Sequence, residues 1–105
     1  MRAGPSLLAW VPVIARLLVI HGRVQGVGYR DAAVQAAFDC AVTGWVRNRH
    51  GGTVEVFVQG PAPAVEAFIA WCRRGPPLAR VTHVDVADGQ PDPARRDFEW
   101  RPTGA

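Results

Sequence analysis

Three glycines, Gly22, Gly26 and Gly28, stand between a short apolar run, Leu17-Leu18-Val19-Ile20, and an alanine-rich stretch that begins at Tyr29. Four consecutive large apolar residues mark a strand covered on at least one face. Ala32, Ala33, Ala36 and Ala37 are strong helix formers. Val34, Ala37, Phe38 and Ala41 recur at i, i+3, i+4 and i+7, which predicts a helix from residue 29 to about 40 with these four on its buried face. The connection is therefore a glycine-rich turn from a buried strand into a helix N-terminus.

The remaining pattern narrows the choice. Residues 43–49, with Trp45 and Val46 at their centre, read as a strand. His50-Gly51-Gly52 supplies the positive φ angles of a tight hairpin, and residues 53–59 alternate, with Val54, Val56 and Val58 on one face and Glu55 and Gln59 on the other. Phe57 falls on the polar face, against the pattern. Gly60-Pro61-Ala62-Pro63 opens a second helix, whose stripe is Val65, Phe68, Ile69 and Cys72, and Gly75-Pro76-Pro77 ends it. Residues 80–87, with Val81, Val84 and Val86, form a fourth strand; 88–95 form a loop; Phe98-Glu99-Trp100-Arg101 fits a short final strand. The order strand, helix, strand, strand, helix, strand is the split βαβ arrangement called ferredoxin-like. It is an α+β fold, βαββαβ, with two helices on one face of an antiparallel sheet. The chain divides into an N-terminal extension expected to be poorly ordered (1–15), one domain (16–102) and a tail (103–105).

At 105 residues there is room for one domain. The formal charge is +3, from 12 basic and 9 acidic side chains, and every basic residue is arginine. The arginines are scattered, so the charge supports a preference for anionic ligands rather than a nucleic-acid surface. Cys40 and Cys72 lack metal-ligand spacing, and both are expected as buried thiols on helices. Leu7 to Ile14 is apolar and follows Arg2, as in a secretory signal, but Pro12 interrupts it and Arg16 already opens the first strand. Leu7 to Ile20 is too short, and too charged at Arg16, for a membrane span, and a cytoplasmic location is expected.

The chemistry concentrates in Gly22-Arg23-Val24-Gln25-Gly26-Val27-Gly28-Tyr29-Arg30. In such a turn successive backbone N–H groups converge, and the helix end adds partial positive charge, which together suit a phosphate. Arg30 lies in the first helical turn, where a basic residue opposes the macrodipole; its guanidinium can instead reach over the loop and take two phosphate oxygens. Glycine-rich turns also occur without any ligand, and this one is neither a dinucleotide fingerprint nor a Walker loop. Counting by two along the second strand puts Asn48 on the face of Val46, the helix side. Its amide can accept from a water and donate to an oxygen at once. Taken alone, Asn48 equally fits a turn residue bonding its own backbone. His21, His50 and His83 show no metal-ligand spacing, and Trp45, Trp71 and Trp100 are expected to pack.

These blocks together resemble the acylphosphatase family from about Arg16 to Arg101. Gly22 to Val27, the Tyr29-Arg30 pair and Gly44-Trp45-Val46-Arg47-Asn48 carry the resemblance, with Gly52-Thr53-Val54-Glu55 and Gly75-Pro76-Pro77 in support. It implies that residues 22–29 bind phosphate, that Arg30 binds substrate and acts in catalysis, and that Asn48 orients the attacking water. It also implies the same fold and an acyl phosphate as the small-molecule partner; no cofactor, metal, nucleic acid or membrane is expected to take part, and the chain is expected to be a monomer. Three positions depart from the family pattern. Gly51 stands for an Asp or Asn, Ala41 for the glycine that ends the first helix, and Gly28 for a bulkier residue, which is expected to loosen the loop. The alternative from another functional class is a ferredoxin-like module that binds phosphate or RNA without turnover.

Overall fold

The computed structural model describes residues 12–104, and most of the N-terminal extension lies outside them. The elements follow in the order β1 (Val13–Arg23), α1 (Tyr29–Cys40), β2 (Thr43–Arg49), β3 (Val54–Pro61), α2 (Ala62–Arg74), β4 (Arg80–Asp88) and β5 (Phe98–Gly104). They form one sheet in the order β4-β1-β3-β2-β5. The four strands of the split βαβ unit pair antiparallel, and β5 adds a parallel edge against β2. The sheet is therefore mixed, where a purely antiparallel one was expected. β1 begins at Val13 and β5 runs to Gly104, so ordered strand extends past both expected domain limits.

Both helices cover one face of the sheet. Leu18, Ile20, Val46, Val54, Val56, Val58 and Val84 face inward from the strands, and Val65, Phe68 and Cys72 meet them from α2. Each such aliphatic side chain contributes about 1.5–3 kcal/mol on burial. The buried residues of α1 are Tyr29, Ala33, Ala36 and Ala37, which corrects the face expected from sequence. Phe38 is 80% exposed and Val34 only half-buried. Three alanines and the ring of Tyr29 make up the buried face, Val34 packs at its margin, and Phe38 stays outside. Cys72 is fully buried, whereas Cys40 is not.

The opposite face of the sheet is partly covered by the segment after β4. The Gln59 side chain donates to Asp92 O (2.8 Å) and Thr43 Oγ1 (3.0 Å) and accepts from Asp92 N (2.6 Å). Gly89 passes against the Phe57 ring. Phe57, anomalous in the strand pattern, is thus only 8% exposed.

At the end of α1 the residue expected to be glycine is Ala41, held in the left-handed region (φ 59°, ψ 44°) with its N–H bonded back to the last helical turn. It is the only non-glycine with positive φ among the described residues. A Cβ in that region is strained by about 1 kcal/mol. Ala41→Gly is expected to raise the melting temperature by roughly 2–6 °C, the strain relief being partly offset by unfolded-state entropy; thermal unfolding followed by circular dichroism measures it.

Candidate active site

The loop between β1 and α1 is built on Gly22. A bulge in the β1–β4 pairing falls between His21 and Gly22, and at Gly22 (φ 121°) a Cβ would sit 2.0 Å from Arg80 O. Only glycine fits this bulge, after which β1 stays paired with β4 as far as Arg23. The chain then passes through Gly26 (φ 73°) and Gly28 (φ 78°), both left-handed and both with open space where a side chain would be. Glycine at position 28 therefore fits the backbone that the loop adopts, so its effect is not simply a loosening.

Gly28 is also the N-cap of α1, and no side chain caps this helix end. Among the described residues, no backbone N–H from Gln25 to Arg30 has a main-chain acceptor outside regular elements. The first orphan amides of a helix and those of the loop leading into it are left unsatisfied together. They border a hollow of about 140 Å³ lined by Val24, Gly26, Gly28, Tyr29, Arg30, Asp31, Asn48 and Trp100. A larger groove of about 400 Å³ between α1 and α2 is lined mainly by apolar side chains such as Ala36, Trp71 and Pro76.

Arg30 and Asn48, on different elements, thus meet at one hollow. Asn48 is 9% exposed, and its amide makes no side-chain hydrogen bond to a described residue, unlike the carboxamides of Gln25 and Gln59. The self-bonded turn reading does not apply, since Asn48 is a strand residue paired with Val54. Arg30 donates through one NH group to Arg101 O at 3.0 Å, and its guanidinium lies over the Trp100 ring, 4.3 Å from the centroid.

The other expected loop residues divide. Val24 and Tyr29 turn their side chains into the core, where the Tyr29 hydroxyl donates to Cys72 O at 2.7 Å. Burial pushes the phenol pKa far above its ordinary value and that of the Cys72 thiol up to about 12. Gly22, Arg23, Gln25 and Val27 do not line the hollow. Gln25 instead ties the loop to the β2–β3 hairpin, its carboxamide donating to both Arg49 O and Thr53 O at 2.8 Å. Asp31 and Trp100, which line the hollow, were not singled out by sequence as site residues. Asp31 had a signal, as an acidic residue in a first helical turn. Trp100 had none, since it arrives from a strand 70 positions away.

The comparisons with known proteins bear on this geometry. The family profile described as Acylphosphatase matches residues 16–100. The chain belongs to the acylphosphatase family. It is 52% identical over 92 residues to the acylphosphatase of Acidiphilium cryptum, covering 88% of this chain and all of that one. It is 55% identical over 86 residues to the acylphosphatase of Cupriavidus necator, covering 82% of this chain and 91% of the relative. Among solved structures, the acylphosphatase of Bacillus subtilis superposes with a TM-score of 0.80 at 30% identity, over 86% of this chain and 99% of that one.

Just before the acylphosphatase loop, His21 and His83 face each other across β1 and β4, and their Nε2 atoms lie 2.9 and 2.5 Å from the two oxygens of Asp85. Hydrogen bonds from His21, then from His83, hold the Asp85 carboxyl below the usual carboxylate range. A lowered folded-state pKa stabilises the fold above the ordinary carboxylate pKa of about 3.9, and the benefit disappears as pH falls through the lowered value. Denaturant titrations of wild type and Asp85→Asn are therefore expected to differ at pH 5 to 7 and to converge in acid once Asp85 is protonated in both states.

Gln25→Ala removes the two bonds between loop and hairpin and leaves two carbonyls without that donor. The expected result is a loss of about 1–3 kcal/mol of stability, with a higher KM for an acyl phosphate, read from urea unfolding and steady-state kinetics.

Proposed function

We propose that this acylphosphatase hydrolyses the carboxyl-phosphate bond by direct attack of a water held by Asn48 on a phosphate held by Arg30 and the amides of the glycine loop. The observation that carries the reading is the meeting of Arg30, Asn48 and unpaired loop amides at one hollow. The phosphate oxygens take N–H groups from the loop and the start of α1, where the helix dipole favours negative charge. The guanidinium of Arg30 binds two of these oxygens in its planar fork. The Asn48 carbonyl accepts from the water while its NH₂ donates to a phosphate oxygen, fixing the nucleophile in line with the leaving group.

In the reaction the water oxygen forms a bond to phosphorus and the bond from phosphorus to the acyl oxygen breaks, its electron pair leaving with the carboxylate. The water proton passes to a phosphate oxygen. The conjugate acid of the leaving group has a pKa of roughly 4, so departure needs no general acid. Charge on the phosphoryl oxygens is met by donors already in position, so positioning and electrostatics supply the rate.

The hydrolase reading is further supported over RNA binding by the helix-free face. There Phe57 is buried, and Trp45 carries the guanidinium groups of Arg47 and Arg101 at 5.3 and 4.7 Å; neither ring is an open stacking platform. Two free thiols, Cys40 and Cys72, support a reducing, cytoplasmic setting, and the enzyme is taken to act as a monomer. No helix among the described residues is long and apolar enough to cross a membrane.

The test is turnover of benzoyl phosphate with inorganic phosphate as competitor. Arg30→Gln is expected to lower kcat/KM by roughly 10³-fold or more and to abolish phosphate inhibition. Asn48→Ala is expected to lower kcat by roughly 10²- to 10³-fold with phosphate inhibition retained. Variants equal to wild type would remove both residues from the mechanism.

A further inference from the structure

Arg30 projects from the first turn of α1, yet nothing on α1 holds it. Its only side-chain hydrogen bond among the described residues goes to Arg101 O on β5. No carboxylate of the described residues forms an ion pair with it, although Asp31 is its neighbour and other arginines do pair: Arg47 with Glu55, and Arg101 with Glu99. What covers the guanidinium is the Trp100 ring. A carboxylate in that place would neutralise the charge and occupy the N–H edge that a phosphate needs. An indole face takes the flat face of the cation and leaves both the charge and the edge available. The Arg101 carbonyl uses one of five guanidinium donors, so four remain.

The strand register delivers this contact. Phe98 inserts toward Phe68, with centroids 5.4 Å apart, and so fixes which residues of β5 face the helices. Two positions on, Trp100 faces the same way beside Val46 and reaches Arg30 while lining the hollow. It is 46% exposed. The other two described tryptophans are less exposed: Trp71 packs between Tyr29 and Phe68, and Trp45 stacks with Phe57. Core packing therefore does not account for Trp100.

We propose that Trp100 is a positioning residue for the hydrolysis, clamping the Arg30 guanidinium from one face so that its free edge is presented to the phosphate. The proposal rests on the reading of Arg30 as the phosphate ligand. Without the ring, a long side chain with several rotatable bonds must be immobilised when substrate binds, and affinity falls by that ordering cost.

The experiment compares Trp100→Leu and Trp100→Phe with wild type and Arg30→Gln. It measures KM and kcat for acetyl phosphate and benzoyl phosphate, the inhibition constant of inorganic phosphate, and thermal stability. Trp100→Leu is expected to weaken phosphate inhibition and raise both KM values by about tenfold, with a smaller fall in kcat. Trp100→Phe is expected to recover most of the loss, because its ring can still cover the cation. A folded Trp100→Leu with wild-type phosphate inhibition would overturn the proposal. So would a defect confined to benzoyl phosphate, which would make the ring a contact for the acyl group. If Arg30→Gln itself keeps phosphate inhibition, the reading of Arg30 fails instead. A second measurement does not depend on Trp100→Leu folding. The Nε–H signal of Arg30, identified by its loss in Arg30→Gln, is expected to be displaced upfield in wild type by the indole ring current. A position among the ordinary arginine signals would also overturn the proposal.

Discussion

The two hydrogen bonds of the Gln25 carboxamide hold the site together, because they join the loop that carries the amides to the hairpin that carries Asn48. The loop leaves the end of β1 and the hairpin joins β2 to β3, and the β1–β3 pairing stops at Ile20 and Val54, so beyond that point it is the side chain of Gln25 that bridges them. Main-chain carbonyls at Arg49 and Thr53 are fixed relative to Asn48 by the strand geometry itself. Bonding to them sets the height of the loop above the end of β2. The core side chains of Val24 and Tyr29, on either side of the loop, prevent it from pivoting about that tie. A loop anchored at both ends and in its middle by side chains presents its backbone as the free donor surface. That is the property an anion site requires.

The second half of the site comes from a strand outside the split βαβ unit. β5 pairs parallel with β2 and brings both the Trp100 ring and the Arg101 carbonyl to Arg30. On its other face, Arg101 and Glu99 join a network of charged side chains around Trp45 and Arg95. The strand thus serves the sheet edge with one set of residues and the hollow with the alternate set. The division follows from the two-residue period of the strand.

Much of the fold was legible because strong local signals coincided. The valines of β3, the Gly-Gly hairpin, the proline at the start of α2 and the Gly-Pro-Pro stop each specify one element. The buried face of α1 was not legible. The stripe of Val34, Ala37, Phe38 and Ala41 obeys helical periodicity, but the face that meets α2 and the sheet is rotated from it, burying Tyr29, Ala33 and Ala36 with Ala37 and leaving Phe38 outside; periodicity does not say which side of a helix its partners will occupy. Phe57 looked misplaced because the segment that covers it lies some 30 residues further on. The partners of His21 were hidden for the same reason.

Sequence alone determined the local backbone on which the proposed phosphate site rests. The placing of Gly22, Gly26 and Gly28 between a strand and a helix dictates a turn with exposed amides, and strand alternation dictates the side to which Asn48 points. Both are consequences of local backbone geometry. Tertiary structure decided what surrounds that site: that the Gln25 side chain ties the loop to the hairpin, that Trp100 covers Arg30, and that β5 lies parallel beside β2. Those outcomes depend on which distant strand edges pair and in what register. Pairing of that kind is set by the packing of the whole sheet, and no short window of residues encodes it.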